Sequence, residues 1–337
     1  MRPLIRSLVR RDDAGAVLPL VAIMIVVLLG MGAIVVDFGQ LYVERRELQN
    51  GADAAALAVA QDCAGGDCRD ETATARTYAN DNARDGKAGI GDVCGSGPGL
   101  SPCATTPAGV PAKGWVKVDT VTPADNKVDY VFAPILGRET GEANATAIAA
   151  WGSVGGAATL PLILSKCEYL ELGGNLSTGA YPAGRNYIYF HDTTDAGTCP
   201  AGPAGQDLPG GFGWLSTTSG CQVQITAGGK VLDKPGNSVP NNCNPASWRD
   251  ATVLVPIYDR TNGLGGSNGE YWVAGFAGFH VLAYSFPSDK WENGSPCPGP
   301  KPPNSTRYIC GEFTQMVTTG DIGSGSDFGA HVVRMVG

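Results

Sequence analysis

The amino-acid sequence predicts an α+β, mainly β fold. A long N-terminal transmembrane helix leads into a small antiparallel sheet and then into a disulfide-rich β-sandwich or barrel. Three observations support this class: an uncharged apolar run near the N-terminus, ten cysteines that all follow that run, and a content of 48 Gly and 23 Pro among 337 residues. Only 17% of the residues are charged, and such a composition favours short strands joined by many turns.

The apolar run, Ala16–Val36, contains no charged residue. At about 1.5 Å per residue, a helix of this length spans the roughly 30 Å hydrocarbon core of a bilayer. Residues 1–15 carry four arginines, and positive flanks stay cytoplasmic, so we expect the N-terminus inside and the rest extracytoplasmic or at the cell surface. The run is longer than a secretory signal core and no small-x-small site closely follows it, which predicts an uncleaved, single-pass anchor in the cell membrane.

Helix-forming sequence continues beyond the apolar run, without a proline, as far as Gln61. One helix of roughly 45 residues, about 65 Å long, is therefore predicted to start in the bilayer and project outward. A narrow apolar stripe follows it at three-, four- or seven-residue spacing, formed by Phe38, Leu41, Leu48, Ala52, Ala55 and Val59. Such a helix is stable only when its stripe packs on a partner, either the downstream part of the chain or the same helix in neighbouring copies.

Residues 37–152 are predicted to form this helical stalk and a small α+β module. Residues 62–104 are interpreted as irregular, with one short helix at Arg69–Ala83. Three later segments show strand and turn signals, namely Trp115–Val121, Lys127–Ala133 and Ala145–Trp151. An antiparallel sheet of these strands would bury the Leu48–Val59 part of the stripe. The Gly-rich segment Gly152–Thr159 is interpreted as a linker.

Residues 160–337 are predicted to be an all-β extracytoplasmic domain. Seven or more short strand-like segments alternate there with Gly- and Pro-rich turns, a pattern typical of a β-sandwich or barrel. The chain ends on one of these segments, so we expect the C-terminus to be tied into the sheet.

The cysteine pattern predicts disulfides in an oxidising compartment. No pair has C-x-x-C spacing and only three histidines are present, so zinc-ligand patterns are absent. We expect local bridges that each close a short loop rich in Gly, Pro or Asn, at Cys63–Cys68, Cys94–Cys103 and Cys297–Cys310. The other four cysteines then pair among themselves in one of three ways, the first choice being Cys167 with Cys199 and Cys221 with Cys243.

The segment Gly15–Gln61 strongly resembles the N-terminal segment of TadE/TadG-like Flp pilus-assembly proteins. The shared features are an Arg-flanked apolar helix, Asp37 at its outer end, the stretch LYVERRELQN and the Ala-rich tail ADAAALA. A looser resemblance continues at Val128–Gly152. The resemblance implies a pilin-like module and a membrane-anchored, surface-facing structural or assembly component, similar to a minor pilin, of a Tad/Flp-type pilus. Its partners would be the membrane and other pilus or pilus-assembly proteins.

Two features depart from the pattern of related proteins. Type IV prepilins are cut after a Gly that has a Glu five residues later, whereas Leu20 stands at that distance from Gly15. We therefore expect residues 1–15 to stay on the mature protein. Some family members also carry a metal-binding D-x-S-x-S site, but Asp321–Asp327 lacks that spacing, so no metal is predicted.

No catalytic or cofactor motif is found in the sequence. A nucleophile elbow, a phosphate-binding loop and a dinucleotide fingerprint are absent, and we expect a non-enzymatic protein without a cofactor. The 24 basic and 32 acidic residues argue against a nucleic-acid partner. The three histidines, His191, His280 and His331, are interpreted as structural.

The alternative function is a membrane-anchored module that binds cell-wall or host glycan through residues 160–337. Aromatic side chains would supply a stacking surface for sugars in this alternative, and core packing is the competing interpretation of the same residues. The aromatic residues concerned are Trp214, Trp248, Trp272, Trp291, Phe276 and Phe279. An exposed aromatic strip on the β-domain would distinguish the two.

Overall fold

The structure is a computed structural model. It describes residues 14–336 except for 112–113, 178, 191–211, 218–219, 237, 263, 265, 288, 295–296, 300–301 and 304. The helices are α1 (Ala14–Ala64), α2 (Glu71–Asp81) and α3 (Lys166–Glu171), and short 3-10 turns occur at Ala133–Leu136, Pro245–Trp248 and Gly266–Asn268.

Most of the remaining described chain is extended. In chain order the strands are β1 (Gly89–Ser96), β2 (Trp115–Val121), β3 (Val128–Asp129), β4 (Thr140–Gly141), β5 (Asn144–Thr159), β6 (Leu162–Ser165), β7 (Arg185–Tyr189), β8 (Phe212–Trp214), β9 (Val223–Thr226), β10 (Lys230–Leu232), β11 (Thr252–Thr261), β12 (Glu270–Ser285), β13 (Lys290–Glu292), β14 (Tyr308–Thr314), β15 (Met316–Thr318), β16 (Asp321–Ile322), β17 (Ser326–Asp327) and β18 (Ala330–Met335).

Helix α1 is continuous over 51 residues, slightly longer than predicted. Its second half is rich in Ala, the strongest helix former. Two features hold its C-terminal end. The Cys63–Cys68 disulfide folds the following chain back onto it, and the Gln315 side chain donates a 2.6 Å hydrogen bond to the Ala64 carbonyl.

The first sheet packs on the second half of α1. Its strand order is β1-β2-β5-β18-β15, antiparallel except for the parallel pair β15–β18. Val118 of β2 and Ala147 of β5 share a buried core with the Leu48–Val59 part of α1. The buried Thr120 hydroxyl donates to the Leu48 carbonyl at 2.9 Å. The predicted packing of a sheet on this part of the helix is therefore confirmed.

The second sheet lies against the continuation of the first. Its order is β7-β14-β12-β11-β6-β8, and β10, β13 and β17 also pair with β12. Val154 of β5 and Ile225 of β9 share one buried core with Phe276 of β12. The next residue along β12, Ala277, lies in a different buried core, since side chains alternate between the faces of a strand. The described chain is thus an α+β, mainly β fold, as predicted.

The predicted linker Gly152–Thr159 is wrong, because these residues form the second half of β5. A Cβ added at Gly155 would lie 2.8 Å from the Gly323 Cα, so this glycine serves a close approach between chain segments rather than flexibility. The C-terminus is tied into a sheet as expected, through the pairing of β18 with β5. The division into units 37–152 and 160–337 stays a prediction.

Two local predictions in the first module also need correction. Residues 62–104 are not irregular throughout, because β1 (Gly89–Ser96) pairs with β2 along its length. The expected strand Lys127–Ala133 is reduced to β3, and a 3-10 turn follows at Ala133–Leu136. Pro134 in that turn has no N–H for a sheet ladder. The short helix expected within Arg69–Ala83 is present as α2.

Candidate functional site at the outer end of the apolar helix

The first half of α1 is exposed along nearly all of its apolar run. Leu18 is 77% exposed, Val26 70% and Leu29 68%, and the helix is long and apolar enough to cross a membrane. Burying this many large apolar side chains requires lipid or other proteins. This half is the largest apolar surface of the described chain.

The second half of α1 is buried by the rest of the chain. Ala52, Ala55, Ala56 and Val59 are completely inaccessible to solvent. The same helix therefore passes from an unpacked apolar segment to the centre of a protein core. The change takes place around Asp37.

Asp37 is a buried carboxylate at this boundary, 6% exposed. Its two oxygens accept hydrogen bonds from three consecutive backbone N–H groups: Val131 at 2.8 Å, Phe132 at 3.2 and 3.3 Å, and Ala133 at 2.7 Å. Converging backbone N–H groups of this kind form an anion-binding nest. We call this contact the Asp37 clasp. It holds the loop between β3 and β4 onto α1.

The loop belongs to a β-hairpin formed by β3 and β4. Asp129 pairs with Thr140, and the Tyr130 N–H donates to the Glu139 carbonyl at 2.9 Å. A Cβ on Gly141 would lie 2.2 Å from the Tyr130 hydroxyl oxygen, so the ring lies directly over this glycine. Residues 131–136, the hairpin tip, are therefore presented to α1 from a short ordered ladder.

A groove of about 540 Å³ lies between α1 and the hairpin. Its apolar lining comes from both elements, with Gly30, Ala33 and Ile34 on α1 and Tyr130, Phe132 and Ile135 on the hairpin. A Cβ on Gly30 would meet no atom within 4 Å. The protein's own side chains thus leave this groove open.

The predicted helix stripe is only partly packed within the chain. Leu48, Ala52, Ala55 and Val59 are buried, whereas Phe38 is 70% exposed and Leu41 is half-buried. Phe38 stays outside the intrachain packing, because the sheet covers α1 only from about Leu48 outward. Its packing on a neighbouring copy or another protein stays a prediction. The sequence reasoning also missed the role of Asp37. Its only signal was a lone carboxylate at the end of an apolar run.

The structure forms four disulfides among the described residues: Cys63–Cys68, Cys94–Cys103, Cys221–Cys243 and Cys297–Cys310. These agree with the expected pairs. Cys167 is disulfide-bonded as well. Cys199 lies outside the described residues, so the expected Cys167–Cys199 pair stays a prediction.

The described histidines contact carboxylates. His280 Nε2 lies 3.3 Å from Asp250 and His331 Nε2 lies 3.1 Å from Asp327. Burial acts to raise the pKa of Asp327, but the hydrogen bond and charge of His331 outweigh it and leave the pKa below its ordinary value. Both histidines lie on strands, consistent with the structural interpretation. His191 lies outside the described residues.

The aromatic residues of the glycan alternative do not form an exposed strip. Trp214, Trp248, Phe276 and Phe279 are at most 2% exposed, because their side chains lie in the interior cores. Trp272 and Trp291 are half-buried, and Trp272 lies between the cations of Lys230 and Arg260, at 4.8 and 5.5 Å from its ring centre. The core interpretation holds for the four buried residues.

Comparison with known proteins identifies a family that matches the N-terminal helix. Residues 15–62 match the family described as putative Flp pilus-assembly TadE/G-like, which confirms the resemblance seen in the sequence at the same position. No curated protein and no solved structure matches the chain significantly. The match covers α1 almost from end to end. Together with the exposed apolar helix it indicates a membrane-anchored component related to Tad/Flp pili.

Proposed function

We propose that this protein is a surface-facing, minor-pilin-like structural or assembly component of a Tad/Flp-type pilus system, and that it acts by packing against other proteins rather than by catalysis. One observation carries the proposal. The family match at residues 15–62 falls on a helix whose second half forms a core with the sheet and whose first half is exposed.

This arrangement supports a role in assembly. The apolar run 17–36 offers side chains on every face of the helix, so it can contact lipid before assembly and neighbouring helices afterwards. The second half, which is held firmly by the sheet, would transmit the position of the helix to the β-rich part of the chain, from β1 to β18. With residues 1–15 cytoplasmic, the β-rich part would lie outside the membrane.

Deletion of the gene in the native host tests the pilus role. We expect fewer or shorter surface pili by electron microscopy and weaker adhesion, both restored by the wild-type gene. Unchanged pilus number, length and adhesion in the deletion strain would refute the proposal.

A helix-swap variant distinguishes packing of the apolar run on other proteins from simple membrane anchoring. In this variant residues 17–36 are replaced by an unrelated apolar sequence of Leu and Ala of equal length, which preserves membrane insertion and leaves the clasp and the sheet untouched. We expect the variant to reach the membrane in normal amount but not to restore pili. Full restoration would show that the helix serves only as an anchor.

The mature N-terminus provides a second test. With Leu20 at the position where prepilins have Glu, we expect mass spectrometry to find peptides containing Arg10 and Arg11 on the mature chain. A terminus at Ala16 would instead demonstrate prepilin-type processing.

Glycan binding by residues 160–337 remains the alternative function. The burial of Trp214, Trp248, Phe276 and Phe279 removes the main feature that favoured it. A glycan-array experiment with the full chain in detergent, in which no glycan is retained, would exclude it.

A further inference from the structure

We infer that the hairpin tip, residues 131–136, inserts into the lipid surface beside α1, and that a lipid acyl chain occupies the groove between them. The inference rests on the membrane anchoring of α1. It does not require the pilus role.

The level of the groove along the helix is the first argument. Its α1 side extends from Leu41 back to Gly30, and Gly30 lies seven residues before Asp37. At about 1.5 Å per residue, the groove reaches roughly 10 Å below the clasp, into the apolar run. A surface depression lined by Val128 and Asp129 lies against the stretch from Val36 to Glu47. The hairpin therefore points with its tip toward the membrane.

The exposure of the tip is the second argument. Ile135 is 85% exposed, Val131 57% and Phe132 40%, although most large apolar side chains of the β-rich part are buried. Three exposed apolar residues within five positions, next to a membrane-spanning segment, form a surface that lipid would cover.

The polar groups around the tip fit an interfacial position. Tyr130 and Arg138 line the same groove, and both residue types place an apolar stem in lipid and a polar end among headgroups. Among the residues that line the groove, the one carboxylate is Asp37, and its oxygens accept hydrogen bonds from backbone N–H groups. The negative charge of this carboxylate is thus compensated at the level of the tip.

The groove is continuous with the apolar surface of α1, and this favours lipid over a second copy of the chain as its occupant. The groove opens directly onto Ala33 and Ile34 of the apolar run, a surface that lipid surrounds in a membrane-anchored protein. Acyl chains reaching this run can enter the groove without leaving the bilayer. A second copy would have to displace them.

Depth-dependent fluorescence quenching tests the inference. The full chain, with its disulfides intact, would carry an environment-sensitive fluorescent amino acid at Ile135 and be reconstituted in vesicles of phosphatidylethanolamine and phosphatidylglycerol. We expect a blue-shifted emission and loss of fluorescence when the lipids are brominated. Bromine near the headgroup end of the acyl chain should quench more than bromine near its tail, since interfacial segments lie only about 5–10 Å deep.

Two matched positions control this experiment. Val27, in the apolar run, must be quenched by brominated lipid, and failure there would refute the anchoring on which the inference rests. Leu232 is 54% exposed on β10 and must respond only to aqueous iodide. If Ile135 behaves like Leu232, the tip is in water and the inference is wrong. If Ile135 is protected from both quenchers, protein covers the groove, and the inference is wrong as well.

Discussion

Each half of α1 contains an apolar segment, yet the two segments differ in side-chain size and in what surrounds them. Residues 17–36 are mainly Leu, Ile, Val and Met and are exposed, whereas residues 52–60 are mainly Ala and are buried. Small side chains let a helix approach a sheet closely enough to reach the packing density of a protein interior. Large apolar side chains such as Leu, Ile and Val favour insertion into the lipid bilayer. The size of the apolar residue thus distinguishes the two environments along one helix.

The largest expected change in the free energy of unfolding comes from truncating a buried leucine in the second half of α1. An exposed leucine in the first half serves as the comparison. Leu48 is 2% exposed and Leu28 65%. Leu48→Ala should lower the free energy of unfolding by about 2–5 kcal/mol, because it leaves a cavity between α1 and the sheet. Leu28→Ala should change it by less than about 0.5 kcal/mol. Thermal or denaturant unfolding in detergent micelles measures both, and equal effects would contradict the contrast between the halves.

The boundary between the halves is tested by removing the Asp37 clasp. Asp37→Ala leaves three backbone N–H groups without their acceptor, and hydrogen bonds to a charged group contribute roughly 1.5–3 kcal/mol. We expect faster amide hydrogen exchange at Val131, Phe132 and Ala133, with an unchanged global unfolding midpoint. Asp37→Asn keeps one carbonyl oxygen and should give an intermediate rate. Unchanged protection in Asp37→Ala would show that the clasp does not hold the tip.

The end of the buried half is closed by a disulfide. Replacing Cys63 and Cys68 together by Ala opens a loop with a sequence separation of five residues, for which chain entropy predicts a destabilisation of about 2 kcal/mol. Replacing Cys221 and Cys243, separated by 22 residues, should cost more, about 3.4 kcal/mol. Denaturant unfolding of the two double variants checks the order, and the reverse order would contradict the chain-entropy explanation of the two bridges.

The smallest change in the free energy of unfolding is expected at the surface of the stalk. The Arg84 side chain is 81% exposed and lies 3.5 Å from Glu47, so Arg84→Ala should cost less than about 0.5 kcal/mol. The Arg84 backbone N–H also donates to Glu47 at 3.0 Å, and Glu47→Ala removes that acceptor and should cost more. A larger loss in Arg84→Ala than in Glu47→Ala would contradict this assignment.

Much of the helical part could be predicted from the sequence. The length of the uncharged stretch identified the apolar run. Apolar residues at three-, four- or seven-residue spacing identified Leu48 and Val59, and alternation of β-branched residues identified β2. The linker prediction at Gly152–Thr159 failed because a Gly-rich strand and a Gly-rich linker have the same composition. The pairing of this stretch with β9, β16 and β18, and the close approach of Gly155 to Gly323, distinguish them in the structure.

The clasp could not be predicted for a different physical reason. It joins Asp37 to backbone N–H groups 94–96 residues away, and backbone donors leave no pattern in side-chain sequence. The exposure of Phe38 could not be predicted for a related reason. Periodicity places a residue on a face of the helix, but it does not say how far along the helix the sheet extends.

Photo-crosslinking in the native host can show whether the first half of α1 packs on other pilus proteins while the second half packs within the chain. A photoreactive amino acid would replace Leu28, exposed in the first half, and in a second strain Leu232, exposed on the β-rich part. We expect adducts between position 28 and other proteins of the pilus system, with none from position 232. Adducts to lipid alone at position 28, in cells that assemble normal pili, would contradict it.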